Sequence, residues 1–495
     1  MFPLPELDSQ SDLPLYRQLA AYVKDLILAG RLERGERLPA TRELAGLLRL
    51  NRTTISAAYE LLESEGLIRG HVGRGSFVDG PAGAGFAGGL DWEQILPGSR
   101  GLPAAVPGPG EAPGLISFST SRPSEELFPI DEFRAICAEV VGSGEIGAIL
   151  QLGSPGGFTP LRRYLLEQAA AEGTAGAHDD VIITNGCQQA IDLLARVLVR
   201  GGDSVLLEDP VYPGLKNVFE QAGARLTGIP MTTQGLDLQI LERSLAQERP
   251  RVLVITSTFQ NPTGATLPLA ARQAILRMAR EAGAVLIEND IYGPLRYEGE
   301  EIPTLKQLDE TGCTVLLRSF SKIAFPGLRV GWAIAPRPLA ARLAEAKQAC
   351  DLHSDQLSQA VLLRFAESGR LRAHRDRIVE AGAERLRAVL AACERYLPVG
   401  STFTRPQGGM NLWVRLPEPL DAGELLPRAQ REGVAYLPGR YFSISRYEPG
   451  SLRLSFAGLT PEQIGQGLAQ LGEIFHRELD RVRTARRFEP APAMV

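Results

Sequence analysis

Thr314-Val315-Leu316-Leu317-Arg318-Ser319-Phe320-Ser321-Lys322, with Arg329 seven residues beyond the lysine, is the stretch on which the fold of this chain turns. A β-prone run, Thr314–Arg318, leads straight into two hydroxyls, a lysine and then an arginine. Open α/β sheets collect ligands at the carboxyl ends of their strands. Working outward, the same arrangement recurs. Val181–Thr184 leads into Asn185-Gly186-Cys187-Gln188-Gln189, and Ser204–Glu208 into Asp209-Pro210-Val211-Tyr212. Val252–Thr256 precedes Asn261-Pro262-Thr263-Gly264, and Val285–Glu288 precedes Asp290 and Tyr292. Helical patterns separate the runs, which predicts a mostly parallel sheet of the α/β class.

The polar residues share one chemical logic. A pyridine ring bearing a phenolic oxygen, an aldehyde and a phosphate needs all of them. The aldehyde needs a lysine amine, Lys322. The ring nitrogen needs a carboxylate to keep it protonated as an electron sink, Asp290. The phenolic oxygen needs donors, Asn261 and Tyr292, and an aromatic such as Tyr212 covers a ring face. The phosphate needs N–H groups, hydroxyls and a fork: Gly186, Cys187, Gln188, Ser319, Ser321 and Arg329. An Asn-Pro-Thr-Gly turn or a single lysine says little alone. Asn261, Asp290 and the Lys322/Arg329 pair, in order and each after a strand, are specific.

Upstream, the composition changes. Asp79–Gly114 holds ten glycines and six prolines in 36 residues, which predicts a linker over residues 79–114. As a flexible coil it spans roughly 30–36 Å, with Leu90–Leu96, containing Trp92, as a docking piece. Before it, Leu15, Leu19, Val23, Leu26 and Ile27 share a helical face, and Leu44, Ala45 and Leu48 mark a second helix. Asn51 caps a third, with Ile55, Tyr59 and Leu62 inward and Gly66 at its end. Two β-prone pieces follow around His71–Gly75. That is a helix-turn-helix with a wing, an α+β module over residues 1–78. Arg52, Thr53 and Thr54 open the recognition helix, Arg42 lies on the helix before it, and Arg74 sits at the wing tip. All five are candidate DNA contacts.

Composition bounds the rest. The chain has 495 residues, 44% hydrophobic and 22% charged, with a net charge of −5. It suits two or more globular domains rather than a basic nucleic-acid coat. Five scattered cysteines (137, 187, 313, 350, 393) form no framework and no metal site, so a reducing cytoplasm is expected. No apolar run reaches membrane-spanning length.

Leu13-Pro14-Leu15-Tyr16, Gly35-Glu36-Arg37-Leu38-Pro39, Thr41-Arg42-Glu43-Leu44-Ala45, Asn51-Arg52-Thr53-Thr54 and Tyr59–Ile68 together resemble the GntR-type winged helix. The departure is Ala40, where that family carries a capping serine; Thr41 is expected to take over the cap. Residues 115–480 resemble fold-type I, class I and II aminotransferases that use pyridoxal 5′-phosphate. The resemblance implies a large domain at about 155–340 and a smaller α+β domain at about 341–480 with part of 115–150. It also implies that Arg453 binds a substrate carboxylate.

The combination resembles MocR-type transcriptional regulators. It implies a homodimer, head-to-tail, that binds operator DNA and senses an amine or amino acid through aldimine exchange. Two positions depart from the pattern. Leu152 stands where relatives carry a tyrosine, and Arg122 where they carry a glycine at the substrate-side entrance. An active aminotransferase with an appended winged helix is the alternative, and a cofactor-free DNA-binding scaffold a third reading.

Overall fold

The computed structural model describes Leu7 and residues 14–28, 31–32, 35–48, 50–71, 75–79, 114–232, 235–445 and 447–487. Arg74, Trp92 and all but the ends of the 79–114 segment lie outside the described residues. The chain divides into two compact units, Met1–Leu102 and Pro103–Val495.

In the first unit, helices α1 (Leu15–Leu28), α2 (Thr41–Leu48) and α3 (Arg52–Ser64) precede the antiparallel pair β1 (Ile68–His71) and β2 (Gly75–Val78). The apolar face of α1 buries Leu19, Val23, Leu26 and Ile27 against Leu44, Ile55, Tyr59 and Leu62, while Leu15 is half-buried. The Asn51 side chain accepts from the Thr53 N–H at 3.2 Å and so starts α3. Thr41 does not cap α2. It is already helical, and the preceding Ala40 carbonyl accepts from the Leu44 N–H.

The second unit is built on an eight-stranded sheet. Its order is β4 (Asp179–Thr184), β11 (Gly331–Pro336), β10 (Thr314–Ser319), β9 (Val285–Asn289), β8 (Val252–Ile255), β5 (Ser204–Asp209), β6 (Arg225–Thr232) and β7 (Gly235–Leu236). Neighbours from β10 to β6 are parallel; β11 and β7 run against theirs. Alternate residues pack on opposite faces. Val205, Leu207, Val254 and Leu317 pack toward the helix Cys187–Leu198, while Leu206, Leu253, Ile255 and Leu286 pack toward the helices Leu238–Glu248 and Leu269–Ala282. Burial on both faces is why these strands read as unbroken apolar runs.

A second, antiparallel sheet of β12 (Thr402–Phe403), β13 (Asn411–Arg415), β16 (Ser451–Ser455) and β15 (Leu437–Pro438) packs on the helices Arg370–Tyr396 and Pro461–Arg487. The short β3 (Ile116–Ser117) pairs with β14 (Val434–Ala435), which ties the start of this unit to its carboxyl-terminal part. No helix among the described residues is long and apolar enough to cross a membrane.

One core residue makes stability depend on pH. His374 is fully buried, packed around by Phe128, Phe325 and Phe365, and neither ring nitrogen has a hydrogen-bond partner. Burial, assisted by Arg377, lowers its pKa from 6.5 to about 4. Between those values the unfolded chain takes up a proton that the folded chain refuses. The contribution is therefore full above pH 6.5 and lost as the pH falls to 4, at most about 3 kcal/mol. His374→Leu is expected to flatten denaturant midpoints across this window. An undiminished slope in the variant would place the acid sensitivity elsewhere.

Candidate functional site

The polar ends of the parallel strands converge. Lys322 closes a short 3₁₀ turn, Phe320–Lys322, immediately after β10. Its Nζ donates to the Ser121 carbonyl and lies 5.7 Å from the Tyr292 ring centroid. The chain has five lysines. Four have carboxylate partners: Lys24 with Glu65, Lys216 with Glu220, Lys306 with Asp179 and Lys347 with Asp351. Lys322 has none among the described residues. Its amine is half-buried, untied by an ion pair, and therefore suited to covalent chemistry.

Asp290 follows β9 and is 3% exposed. Burial pushes its carboxyl above the ordinary range, and Arg318 opposes that shift. Asp290 Oδ2 accepts from Arg318 Nε at 3.1 Å, while Oδ1 is buried without a partner. Gly293 leaves room there, since a Cβ would stand 2.3 Å from Oδ1.

Arg453, on β16, reaches from the second sheet into the same cleft. It donates to Asn261 Oδ1 at 3.0 Å and to the Ser119 carbonyl, and its guanidinium lies 5.1 Å from the Phe442 ring centroid. Burial lowers its pKa to about 10, so it stays charged at neutral pH. Asn261 Nδ2 in turn donates to the Tyr292 hydroxyl at 3.3 Å, and Ser121 Oγ lies 3.2 Å from that hydroxyl. Burial alone would raise the Tyr292 phenol, but Lys322, Ser121 and Arg453 bring it below its ordinary value. Arg453 Nε and Asn411 Nδ2 are also buried without partners. Orphaned polar atoms inside a protein are costly, and here they share the cleft of Asn261, Tyr292 and Arg453.

The other end of the cleft suits an anion. Gly186, at φ +75°, precedes the helix Cys187–Leu198, whose first-turn N–H groups face outward from the helix end. A Cβ on Gly186 would stand 2.4 Å from an Arg329 guanidinium nitrogen and at a φ that L side chains rarely adopt, so a larger residue would displace the Arg329 fork. Arg329 makes long contacts of 3.4–3.5 Å with Asn185 O, Pro326 O and Ser321 Oγ. Ser319 Oγ accepts from the Ser321 N–H, which fixes the turn bearing Lys322. Gln188 Nε2 donates to Gly214 O, tying this loop to the Tyr212 loop. The Cys187 thiol is buried, donates to Arg318 O, and is pushed by burial up to about 12. Only the backbone of Cys187 is left to meet an anion.

Tyr212 is 37% exposed at the start of the helix Pro213–Gln221. Arg122 is half-buried in the segment that supplies Ser119 and Ser121, with its Cγ side by Gly458. Leu152 is 73% exposed. In the winged-helix unit Arg42, Arg52 and Thr53 are exposed and Thr54 is half-buried, with Arg52–Thr54 forming the first turn of α3.

Sequence reasoning did not select Asn411, Ser119, Ser121 or Arg318. Asn411 had a signal, a polar residue opening a strand after Gly408-Gly409-Met410. The two serines act here through carbonyls or a neighbouring hydroxyl, which no side-chain motif encodes.

Residues 133–471 match the family "Aminotransferase class I and II", and residues 15–78 match "Bacterial regulatory proteins, gntR family". The chain is 38% identical to the 2-aminoadipate transaminase of Thermus thermophilus, over 73% of this chain and 90% of that protein. It is 30% identical to the probable rhizopine catabolism regulatory protein MocR of Rhizobium meliloti, over 95% of each. Among solved structures it resembles LysN, the α-aminoadipate aminotransferase of Thermus thermophilus, complexed with N-(5′-phosphopyridoxyl)-L-leucine. The TM-score is 0.73 at 34% identity, covering 79% of this chain and all of that one.

Proposed function

Because the chain belongs to the class I and II aminotransferase family and joins it to a GntR-family module, as MocR-type regulators do, we propose that it is a pyridoxal 5′-phosphate-dependent transcription regulator. Its aminotransferase-like body, residues 115–480, senses an amine or amino acid, and residues 1–78 bind operator DNA in the cytoplasm. The observation that carries the reading is the convergence of Lys322, Asp290, Asn261, Tyr292 and Arg453 in one cleft.

The bound cofactor supplies an aldehyde carbon and an electron-withdrawing ring. Around it, Lys322 would give the amine that meets that carbon, the place for which an incoming ligand amine would compete. Asp290 would hold the ring-nitrogen proton, with its unpartnered Oδ1 available for that task. Asn261 and Tyr292 orient the phenolic oxygen, with the lowered Tyr292 phenol a strong donor. Gly186, Cys187 and Gln188 offer N–H groups to the phosphate, with Ser321 and Arg329, while Ser319 braces the turn and Tyr212 flanks the ring. Arg453 takes the ligand carboxylate, and Arg122 adds positive charge near the entrance.

A homodimer fits the exposed leucines at 150, 152 and 352, which are 71%, 73% and 60% accessible. The intact Lys322 and Asp290 also support an active aminotransferase, and the test separates the two. The full chain loaded with cofactor is titrated with DNA from upstream of its own gene at several salt concentrations, with and without candidate amines. A regulator shifts its DNA affinity with the amine; an aminotransferase releases keto acid at steady state without such a shift.

The same assay reads the DNA face. Arg52→Ala is expected to weaken binding by about 1–3 kcal/mol if it reads a base edge. If Arg52 contacts phosphate instead, the salt slope falls by about one. Unchanged affinity and slope would remove Arg52 from the interface.

A further inference from the structure

Resting on the cofactor reading above, we infer that Arg318 is a positioning residue that keeps Asp290 ionised and aimed for the cofactor ring nitrogen, with Glu172 as its outer anchor. Asp290 is almost fully inaccessible, a place where a lone carboxyl keeps its proton. A protonated Asp290 cannot hold a protonated ring nitrogen. Arg318 sits on the neighbouring strand β10, one residue before the Ser319–Lys322 turn. Its Nε donates to Asp290 Oδ2 at 3.1 Å. This contact neutralises the carboxylate from behind and leaves Oδ1 without a competing donor. Arg318 NH1 pairs with Glu172, which is half-exposed, so the guanidinium is gripped at both ends. The single side chain thus links the site floor to the surface.

The other charges around Asp290 do not perform this task. Glu288, two residues before it, is held by Ser257 Oγ and the Leu305 and Lys306 N–H groups. Arg272 also lowers the Asp290 carboxyl, but its hydrogen bonds go to Leu267, Ser257, Thr258, Ile302 and Pro303. Cys187 is a buried neutral thiol. Arg318 is the cation that touches the carboxylate. A ring nitrogen held by Oδ1 would be farther from Arg318 than the carboxylate is, so Arg318 would favour the proton on the ring rather than on Asp290.

The experiment is a pH titration of the visible absorbance of the Lys322-linked cofactor, in the native chain loaded with pyridoxal 5′-phosphate and in variants. A protonated ring nitrogen withdraws electrons from the lysine linkage and lowers its proton affinity. Arg318→Gln lets Asp290 keep the proton, so the midpoint is expected to rise by about one pH unit. Cofactor affinity falls with it. Arg318→Lys, which restores the charge, recovers at least half of both effects.

Glu172→Gln lies at the surface and carries the test if Arg318→Gln fails to fold. Removing that anion leaves the Arg318 charge wholly on Asp290, so the midpoint moves slightly downward. An unchanged midpoint in Arg318→Gln, a Lys variant no closer to native than Gln, or an unchanged or upward midpoint in Glu172→Gln overturns the inference. If the native chain itself shows no lysine-linked band, the cofactor reading fails instead, which is a separate result.

Discussion

Lys322→Ala is expected to abolish the visible band of the lysine-linked cofactor completely and to end fixation of the cofactor by borohydride. No other lysine stands in a position to substitute. Lys306 and Lys347 are buried in ion pairs with Asp179 and Asp351, at 2.9 Å each. Lys216 donates to Ser443 O. Lys24 belongs to the other unit and pairs with Glu65. The fold should survive, because the Lys322 amine has one hydrogen bond to a backbone carbonyl, worth about 1 kcal/mol. The Tyr292 phenol, which Lys322 helps to lower, should titrate higher in the variant. Absorbance spectra and peptide mapping after borohydride decide the matter. A pyridoxyl group trapped on any of the other four lysines would mean that the attachment site is wrongly assigned.

The residues of this site were legible where the chain announces them at strand ends, and hidden where the fold alone assembles them. Five β-prone runs proved to be β4, β5, β8, β9 and β10, because parallel strands buried on both faces are written as continuous apolar runs. Strand β11 escaped notice. Gly331-Trp332-Ala333-Ile334-Ala335-Pro336 has one β-branched residue, yet it runs antiparallel between β10 and the edge strand β4. Strand β6 escaped because Gly228 and Pro230 interrupt it; Pro230 is tolerated near the sheet edge, where β6 has only the short β7 beyond it.

The site divides in the same way. Lys322, Asp290, Asn261 and Arg329 occupy fixed offsets from strands and could be read in order. The Ser119 carbonyl under Arg453 comes from a residue 334 positions away in the chain, and the Ser121 carbonyl at Lys322 from one 201 positions away. Such contacts have no local signature. Arg318 reads as an ordinary polar end to a strand until the register places it behind Asp290.

Arg453→Ala is expected to erase the response of DNA binding to amino acids while leaving the lysine-linked band intact. The argument starts from where the guanidinium is anchored. Arg453 belongs to β16 of the smaller sheet, but its hydrogen bonds go to Asn261, from the turn after β8, and to Ser119 O. It is therefore a bridge between the two sheets of the body. On the proposed reading, a ligand carboxylate would compete for the same nitrogens and form a stronger, charge-assisted pair. Binding would then exchange one bridge for another, and the two arrangements of the body would differ in affinity for the ligand. That difference is the requirement for a ligand to shift a conformational equilibrium. A coupling of ordinary size, about 1–3 kcal/mol, would change operator affinity roughly 5–150-fold, and linkage obliges operator DNA to change ligand affinity by the same factor. Without Arg453 the carboxylate has lost its principal partner, so amino acids and the corresponding simple amines should become equivalent. The comparison is a titration of both ligand types against the cofactor-loaded chain on DNA, native and Arg453→Ala. A variant that still prefers amino acids over amines would assign the carboxylate to another cation, with Arg122 next in line. A native chain whose DNA affinity no amine alters, while keto acid accumulates at enzymatic rates, would replace the sensor with the aminotransferase.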